Sequence, residues 1–234
     1  IENIGVCIVD NPRILFFQIH NYLRNNENYR RNEFKTKIGS GCNISQLSSI
    51  AKNNVIIGDN VVIEEFVVIR ENTTIENNVI VRAGTIIGGT DFEFKRTSEE
   101  VLSVEHLGGV IIGNNVEIQQ NSTICRAIYP WDNTIIGDYS KIDDLVQISH
   151  GAKIGREVFI VALSGVGGRT IIGDNTWIGY STTISNGLKI GKDVRVNIGS
   201  VVTKNVADGE SVTGNFAIEH SLFIKHIKEL SGGK

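Results

Sequence analysis

"KIDDLVQISHGAKIGREVFIVALSGVGGRTIIGDNTWIG" (residues 141–179) returns an aliphatic side chain at every sixth position: Ile142, Ile148, Ile154, Ile160, Val166, Ile172 and Ile178. The register continues forward through Ile184, Ile190, Val196 and Val202 and back through Ile136, Ile124, Ile118 and Ile112, with only Pro130 breaking it. An earlier run, Ile57, Ile63, Ile69, Ile75, Val81 and Ile87, keeps the same period, and Ile38, Ile44 and Ile50 precede it one residue out of phase. Gly often follows the aliphatic residue (Gly58, Gly113, Gly137, Gly155, Gly167, Gly173, Gly179, Gly191), and four residues after the aliphatic there is usually a Ser, Thr, Val or Ala. Such a period matches neither a helix nor a simple alternating strand. It matches a β-solenoid in which each hexad is a short strand plus a corner, the aliphatic points inward, the small residue fits a tight interior, and Gly permits the corner dihedrals. Three hexads close one triangular coil, coils stack about 4.8 Å apart, and residues 18 apart share a column. Each inward Ile or Val contributes roughly 1.5 to 3 kcal/mol.

At 234 residues with 41% hydrophobic side chains, the chain is long enough for one sizeable domain, and a 7% aromatic content suffices for a core of this kind. A net charge of -3 with no Lys/Arg cluster gives no electrostatic footprint for nucleic acid or an anionic membrane surface. No apolar run approaches the roughly 20 residues that span a bilayer, and nothing resembles a signal peptide, so no membrane insertion and a cytoplasmic location are expected. Cys7, Cys42 and Cys125 are odd in number and far apart, which reads as reduced structural thiols. The chain starts at Ile1 and contains no Met, as expected of a trimmed chain or the remainder of a longer one.

The sequence divides into an N-terminal α/β cap segment over 1–35, a solenoid over 36–215 and a C-terminal helix over 216–234. Residues 11–24 predict an amphipathic helix with Asp10 or Asn11 as N-cap and Pro12 in its first turn. Residues 216–230 predict a second, with Ile218, Leu222, Ile224, Ile227 and Leu230 roughly on one face. Together the helices are expected to shield the open ends of the coil. The step from Ile87 to Ile112 is four hexads plus one residue, so an excursion lies at 88–110, where solenoids carry functional loops.

The hexads, of the form [LIV]-G-x-x-[STAV]-x, resemble those of the left-handed β-helix acyltransferases. Within that superfamily the stretches "VDNPRILFFQIHNYL" (9–23), "GGTDFEF" (88–94), "GGVIIGNNVEIQQNSTICR" (108–126) and "TIIGDYSKIDDLVQISHGAKIG" (134–155) resemble the UDP-3-O-acylglucosamine N-acyltransferases of lipid A synthesis. The resemblance implies an all-β solenoid wound as a left-handed parallel β-helix, a homotrimer with sites between subunits, and His150 as catalytic base within Q-I-[AS]-H-x-x-x-I-G. Three features depart from it. Only about 35 residues precede the hexads, a second family His falls at Gly187, and "SVVTKNVADGESVTGNFA" (200–217) looks more like the closing coil of CoA-dependent sugar acetyltransferases. These shift the expectation toward N-acylation of a dTDP- or UDP-linked amino deoxysugar for surface glycans, with acyl-CoA favoured as donor; the lipid A reaction with acyl carrier protein is the alternative.

Transfer from a thioester to a sugar amine needs a base for the amine and a donor for the oxyanion. An imidazole suits the first, contributing typically about 10² to 10⁴-fold. His150 stands two residues past an inward Ile, at a corner; Asp143, with Asp144 competing, is the candidate to fix its tautomer. Since 150 plus 18 is 168, Gly168 belongs one coil above His150, where its bare N–H can meet the oxyanion, as the family uses a glycine amide at the aligned position. Arg169, Lys189, Lys192, Arg195 and Lys204 are candidates for the donor's phosphates. Asp91, Phe92, Phe94, His106, Tyr129 and Trp131 are candidates for the sugar nucleotide, an aromatic stacking on the base, and Glu117 is a reserve base. No metal is required: a zinc site of the carbonic anhydrase kind needs three histidines, and His20, His220 and His226 fall in the expected caps. A non-enzymatic scaffold and an O-acyltransferase are the remaining readings.

Overall fold

The computed structural model describes residues 5–214, 217–230 and 232. From Lys37 to Val212 the chain winds as a left-handed parallel β-helix with three flat faces, opening with Lys37–Ile38, Asn43–Ile44 and Ser49–Ile50. Gln147 pairs with Gly165 and Ile148 with Val166, one coil on. This register puts aliphatic over aliphatic, so one continuous Ile and Val core runs up the axis, with Ile112, Ile118, Ile124, Ile136, Ile142 and Ile148 fully buried.

Departures from the repeat have local causes. The lowest coil is one residue longer, Ile38 pairing with Ile57 and Ile44 with Ile63, which absorbs the phase slip after Ile50. Ile75 pairs with Ile112, across the expected excursion, inside which Phe94–Arg96 and Val101–Ser103 form an antiparallel hairpin. Ile112 then pairs with Ile136 and Ile124 with Ile148, six residues more than one coil. Pro130 is therefore not a coil position interrupted by the wrong residue. It sits in a second, shorter excursion between the strands Thr123–Cys125 and Asn133–Ile136, where a residue without an N–H costs the ladder nothing. Both excursions leave from the corner between the third and first faces.

The hexad glycines serve a different purpose from the expected one. The left-handed corner dihedrals fall mainly on other residues, Asn60, Asn78, Asn115 and Asn175 among them and even Phe66, Tyr139, Leu145 and Leu163. The hexad glycines are needed for space: a Cβ on Gly173 would stand 2.5 Å from the backbone N of Lys192, and one on Gly167 2.5 Å from that of Asn186. The interior hydroxyls are likewise more than small. Ser140 Oγ donates to Gly155 O (2.9 Å) and accepts from Val158 N (3.1 Å), and Thr176 Oγ1 donates to Gly191 O (2.8 Å) and accepts from Val194 N (3.2 Å), so each ties its own coil to the next.

The helices do not close the ends. Helix α1 (Pro12–Tyr22) has Asn11 as N-cap, its side chain accepting from Ile14 N at 3.1 Å, and continues as a 3₁₀ turn over Leu23–Asn25. It docks sideways: Phe17 packs with Val104 and Ile128 of the two excursions, and Asn21 exchanges hydrogen bonds with Ser103 O (2.7 Å) and Glu105 N (3.0 Å). The lowest coil stays open, with Ile38 half exposed. Helix α2 (His220–Leu230) buries none of its residues, leaving Leu222, Ile224, Ile227 and Leu230 exposed; residues 215–216, 231 and 233–234 of the C-terminal segment lie outside the described residues. Neither described helix is long and apolar enough to cross a membrane.

Gly173→Ala, which forces a methyl into the next coil, should lower unfolding free energy by about 1 to 3 kcal/mol. Leu145→Asn, which relieves a left-handed Leu (φ 56°), should cost nothing. Urea titration of both variants checks the pair, and equal stabilities would refute the spatial role of the hexad glycines.

Candidate active site

His150 follows the third-face strand Gln147–Ile148 and turns the corner toward Lys153–Ile154. Gly151, left-handed at φ 67°, completes the turn and donates to Thr134 Oγ1 (2.8 Å). One coil on, Gly168 lies against the imidazole: a Cβ there would stand 2.6 Å from His150 Nε2. Gly168 is buried, and among the described residues its N–H finds no acceptor. Arg169 N donates to His150 O and Gly187 N to Gly168 O, both at 2.9 Å, so successive corners are locked in one column.

The long excursion folds back onto this corner. Asp91 Oδ2 accepts from His150 N at 2.8 Å, and Glu93 Oε2 stands 3.5 Å from His150 Nε2, with the imidazole and carboxylate only 13% and 16% exposed. Asp91 and Glu93, joined by a tight turn in which Glu93 N donates to Asp91 O (3.1 Å), both face the coil, while Phe92 and Phe94 turn outward as an exposed edge-to-face pair. Glu93 also pairs with Lys95, whose ammonium lies 5.1 Å over the ring of Phe17 on α1. His106, at 5% exposure, presents its ring 5.9 Å from that of His150 and donates from Nδ1 to Val104 O (3.0 Å). Burial first, then the charge of His150, pulls its pKa below the usual imidazole value, so His106 is neutral at pH 7.

Residues 54–89 match the family described as bacterial transferase hexapeptide (six repeats). The chain is similar to hexapeptide-repeat acyltransferases. It is 49% identical over 150 residues to UDP-3-O-acylglucosamine N-acyltransferase 2 of Legionella pneumophila strain Paris, covering 64% of this chain and 43% of that protein. It is 43% identical over 136 residues to the UDP-3-O-acylglucosamine N-acyltransferase of Acidovorax strain JS42, covering 58% and 41%. A solved UDP-N-acetylglucosamine acyltransferase from Arabidopsis superposes with a TM-score of 0.68 at 25% identity, covering 86% of this chain and 68% of that one. The chain thus spans less than half the length of the curated relatives it matches.

Compared with this hexapeptide-repeat arrangement, several expected site residues stand elsewhere. Asp143 is at the corner before, where its carboxylate accepts from Asp144 N (2.9 Å) and Ala162 N (3.0 Å); Asp144 in turn accepts from Gln120 N (2.8 Å). Neither carboxylate reaches His150, because residues six or seven apart stand at successive corners of the coil. Glu93 holds the place proposed for Asp143. The signal for it was the Asp-Phe-Glu-Phe alternation at 91–94, but the fold-back of the excursion is invisible in the coil arithmetic. Glu117 is committed on the second face to Arg82, at 2.6 and 3.1 Å, and is not a reserve base.

The expected donor cations do not converge within one protomer. Lys189 and Lys192 line an open groove on the first-face side together with Asp174, Asp208 and Glu210. Arg195 stacks over Trp177 on the second face (5.4 Å), Lys204 borders a separate hollow near Val202 and Val212, and only Arg169 stands at the His150 corner. In the second excursion Tyr129 and Trp131 stack at 5.2 Å, and Trp131 is 66% exposed. His20 is buried beneath them, accepting from Tyr29 OH (2.8 Å) and donating to Glu105 O (2.9 Å). Cys125 is buried, which pushes its thiol up to about 12, in keeping with a structural role.

Because the unfolded chain protonates His106 near the ordinary imidazole value of about 6.5 while burial makes the folded chain resist it, stability is full above that pH and falls as pH drops below it. The melting temperature should therefore decline between about pH 7 and pH 5, and His106→Phe should flatten the decline. An unaltered pH profile in the variant would assign the effect to other groups.

Proposed function

We propose that this chain transfers an acyl group from a thioester to the amino group of a nucleotide-linked amino sugar. The observation that carries the reading is the packing of the His150 imidazole against Gly168, a buried residue whose N–H finds no acceptor among the described residues, at one corner of the coil. The sugar nitrogen attacks the thioester carbonyl carbon, His150 takes the proton that nitrogen loses, and the Gly168 N–H donates to the oxygen that becomes negative. Collapse expels the thiolate, which recovers the proton from His150, leaving an amide and a thiol. Glu93 stands where it stabilises the imidazolium while it holds the proton, and Asp91 fixes the backbone beneath it. Such a base contributes typically about 10² to 10⁴-fold, and one preorganised amide donor about 3 kcal/mol.

The named relatives favour a UDP-linked glucosamine carrying a 3-O-acyl chain as acceptor, rather than the dTDP- or UDP-amino deoxysugar expected from the closing coil. The donor is an acyl thioester on acyl carrier protein or on CoA. A homotrimer accounts for the exposed outer rings of Phe159 and Trp177, which a neighbouring copy would cover, and for an acyl groove completed between protomers.

A thiol-release assay pairing acyl-CoA and acyl carrier protein thioesters with UDP- and dTDP-amino sugars tests the reading. His150→Ala should lower turnover at least about 100-fold with little change in melting temperature. Gly168→Ala, whose methyl would displace the imidazole, and Glu93→Gln should each lower the turnover number more than they raise KM. Near-normal turnover in His150→Ala would remove the imidazole as base.

A further inference from the structure

In space, Arg24, Arg30, Arg31 and Arg126 border one cavity of about 190 Å³, at the corner column that also carries His150. Its floor is the corner residues Asn54 and Asn72 of the lower coils, and His106 forms the wall toward the proposed base, so the cavity ends one imidazole short of His150.

We propose that this cavity binds the diphosphate of the nucleotide-linked substrate, held by Arg30, Arg31 and Arg126. This deepens the acyltransferase reading and rests on it for the identity of the substrate.

The charge of Arg24 is met by Glu105. Those of the other three are not met at contact distance. Arg31 is held rigid by oxygens that carry no formal charge, Pro130 O (2.8 Å), Asp132 O (2.7 Å) and Asn133 Oδ1 (2.7 Å). Arg126 spends Nε on Gly88 O (2.6 Å), and among the described residues its terminal nitrogens have no acceptor. Arg30, on the exposed rim, has no ion pair among those residues. Against these stand Asp132, which acts on Arg31 through space while it pairs with Lys153 (2.6 Å), Glu71, which acts on Arg126 only through space, and Glu33, which accepts from Asn53 Nδ2 (2.8 Å).

Desolvation is the main influence lowering the pKa of both Arg31 and Arg126, and Arg126 also feels the like charges of Arg70 and Arg31. Gathering half-buried guanidinium groups costs free energy that an anion with several acceptor oxygens recovers. The volume suits phosphate groups and not a whole nucleotide, so the base must lie outside. Trp131, next to the Pro130 carbonyl that Arg31 holds, offers an exposed ring there. Phosphates of a CoA donor share this chemistry, but the cavity lies on the N-terminal side of His150, away from the groove of Lys189 and Lys192.

Calorimetric titration of the full chain with UDP, dTDP, uridine and CoA tests the assignment, using wild type, Arg126→Gln, Arg30→Gln and His150→Ala. UDP or dTDP should bind at least about tenfold more tightly than uridine, should lose most of that advantage in Arg126→Gln and Arg30→Gln, and should bind His150→Ala as the wild type. Arg30 is exposed, so its variant stays informative if Arg126→Gln destabilises the fold. Nucleoside diphosphates that fail to bind, that bind no better than uridine, that keep their affinity in both arginine variants, or that CoA displaces would each overturn the assignment. Arginine-dependent UDP binding without thioester turnover would instead sink the transferase reading and leave the subsite standing. Turnover with an unchanged KM for the sugar nucleotide in both variants would do the reverse.

Discussion

The parallel backbone ladder between successive coils is the constraint on which the rest of this structure depends. Each two-residue strand bonds to the strand one coil away, as Thr183 and Ile184 do to Val201 and Val202, and not to its neighbour in sequence. With so few bonds per strand, no coil is stable alone, and the stack holds because the ladder and the aliphatic column impose the same register. The buried hydroxyls of Ser140, Ser164 and Thr176 add a third tie in that register. A residue inserted into a face would turn every later aliphatic out of the core, so added length is confined to corners.

That confinement explains why chemistry gathers on one edge. Both excursions leave from the same corner on neighbouring coils, and they pack on each other and on α1 through Phe17, Val104 and Ile128. The small second core positions Asp91 and Glu93 over His150 on one side, and on the other carries His106, Arg31 and Arg126 to the arginine-lined cavity. The coil supplies a rigid column of backbone corners, and the excursions supply charge. His106, between the two, separates the carboxylates around His150 from the guanidinium-lined cavity.

The corners also show how tolerant this fold is of backbone strain. Left-handed dihedrals at Leu145, Leu163 and Tyr139 persist because the ladder bonds on either side over-determine them. The hexad glycines stand where a methyl would meet the next coil and Gly168 where it would meet the imidazole itself, whereas Gly151, Gly187 and Gly199 hold left-handed corners.

The hexad period by itself determined the three-sided coil, the inward column, the existence of a long excursion after Ile87 and the placing of Gly168 over His150, because each follows from counting residues along a rigid repeat. Counting fails wherever the chain leaves that repeat. It took Pro130 for a flawed hexad when it belongs to an insertion, and it chose Asp143 for a role whose geometry belongs to Glu93. It also assigned to α1 and α2 the closing of ends that neither covers. Only the tertiary structure decided which carboxylates meet the imidazole and which arginines share a cavity, since those pairs join Asp91 to His150 and Arg31 to Arg126 through loops whose course depends on long-range packing and carries no periodic signal.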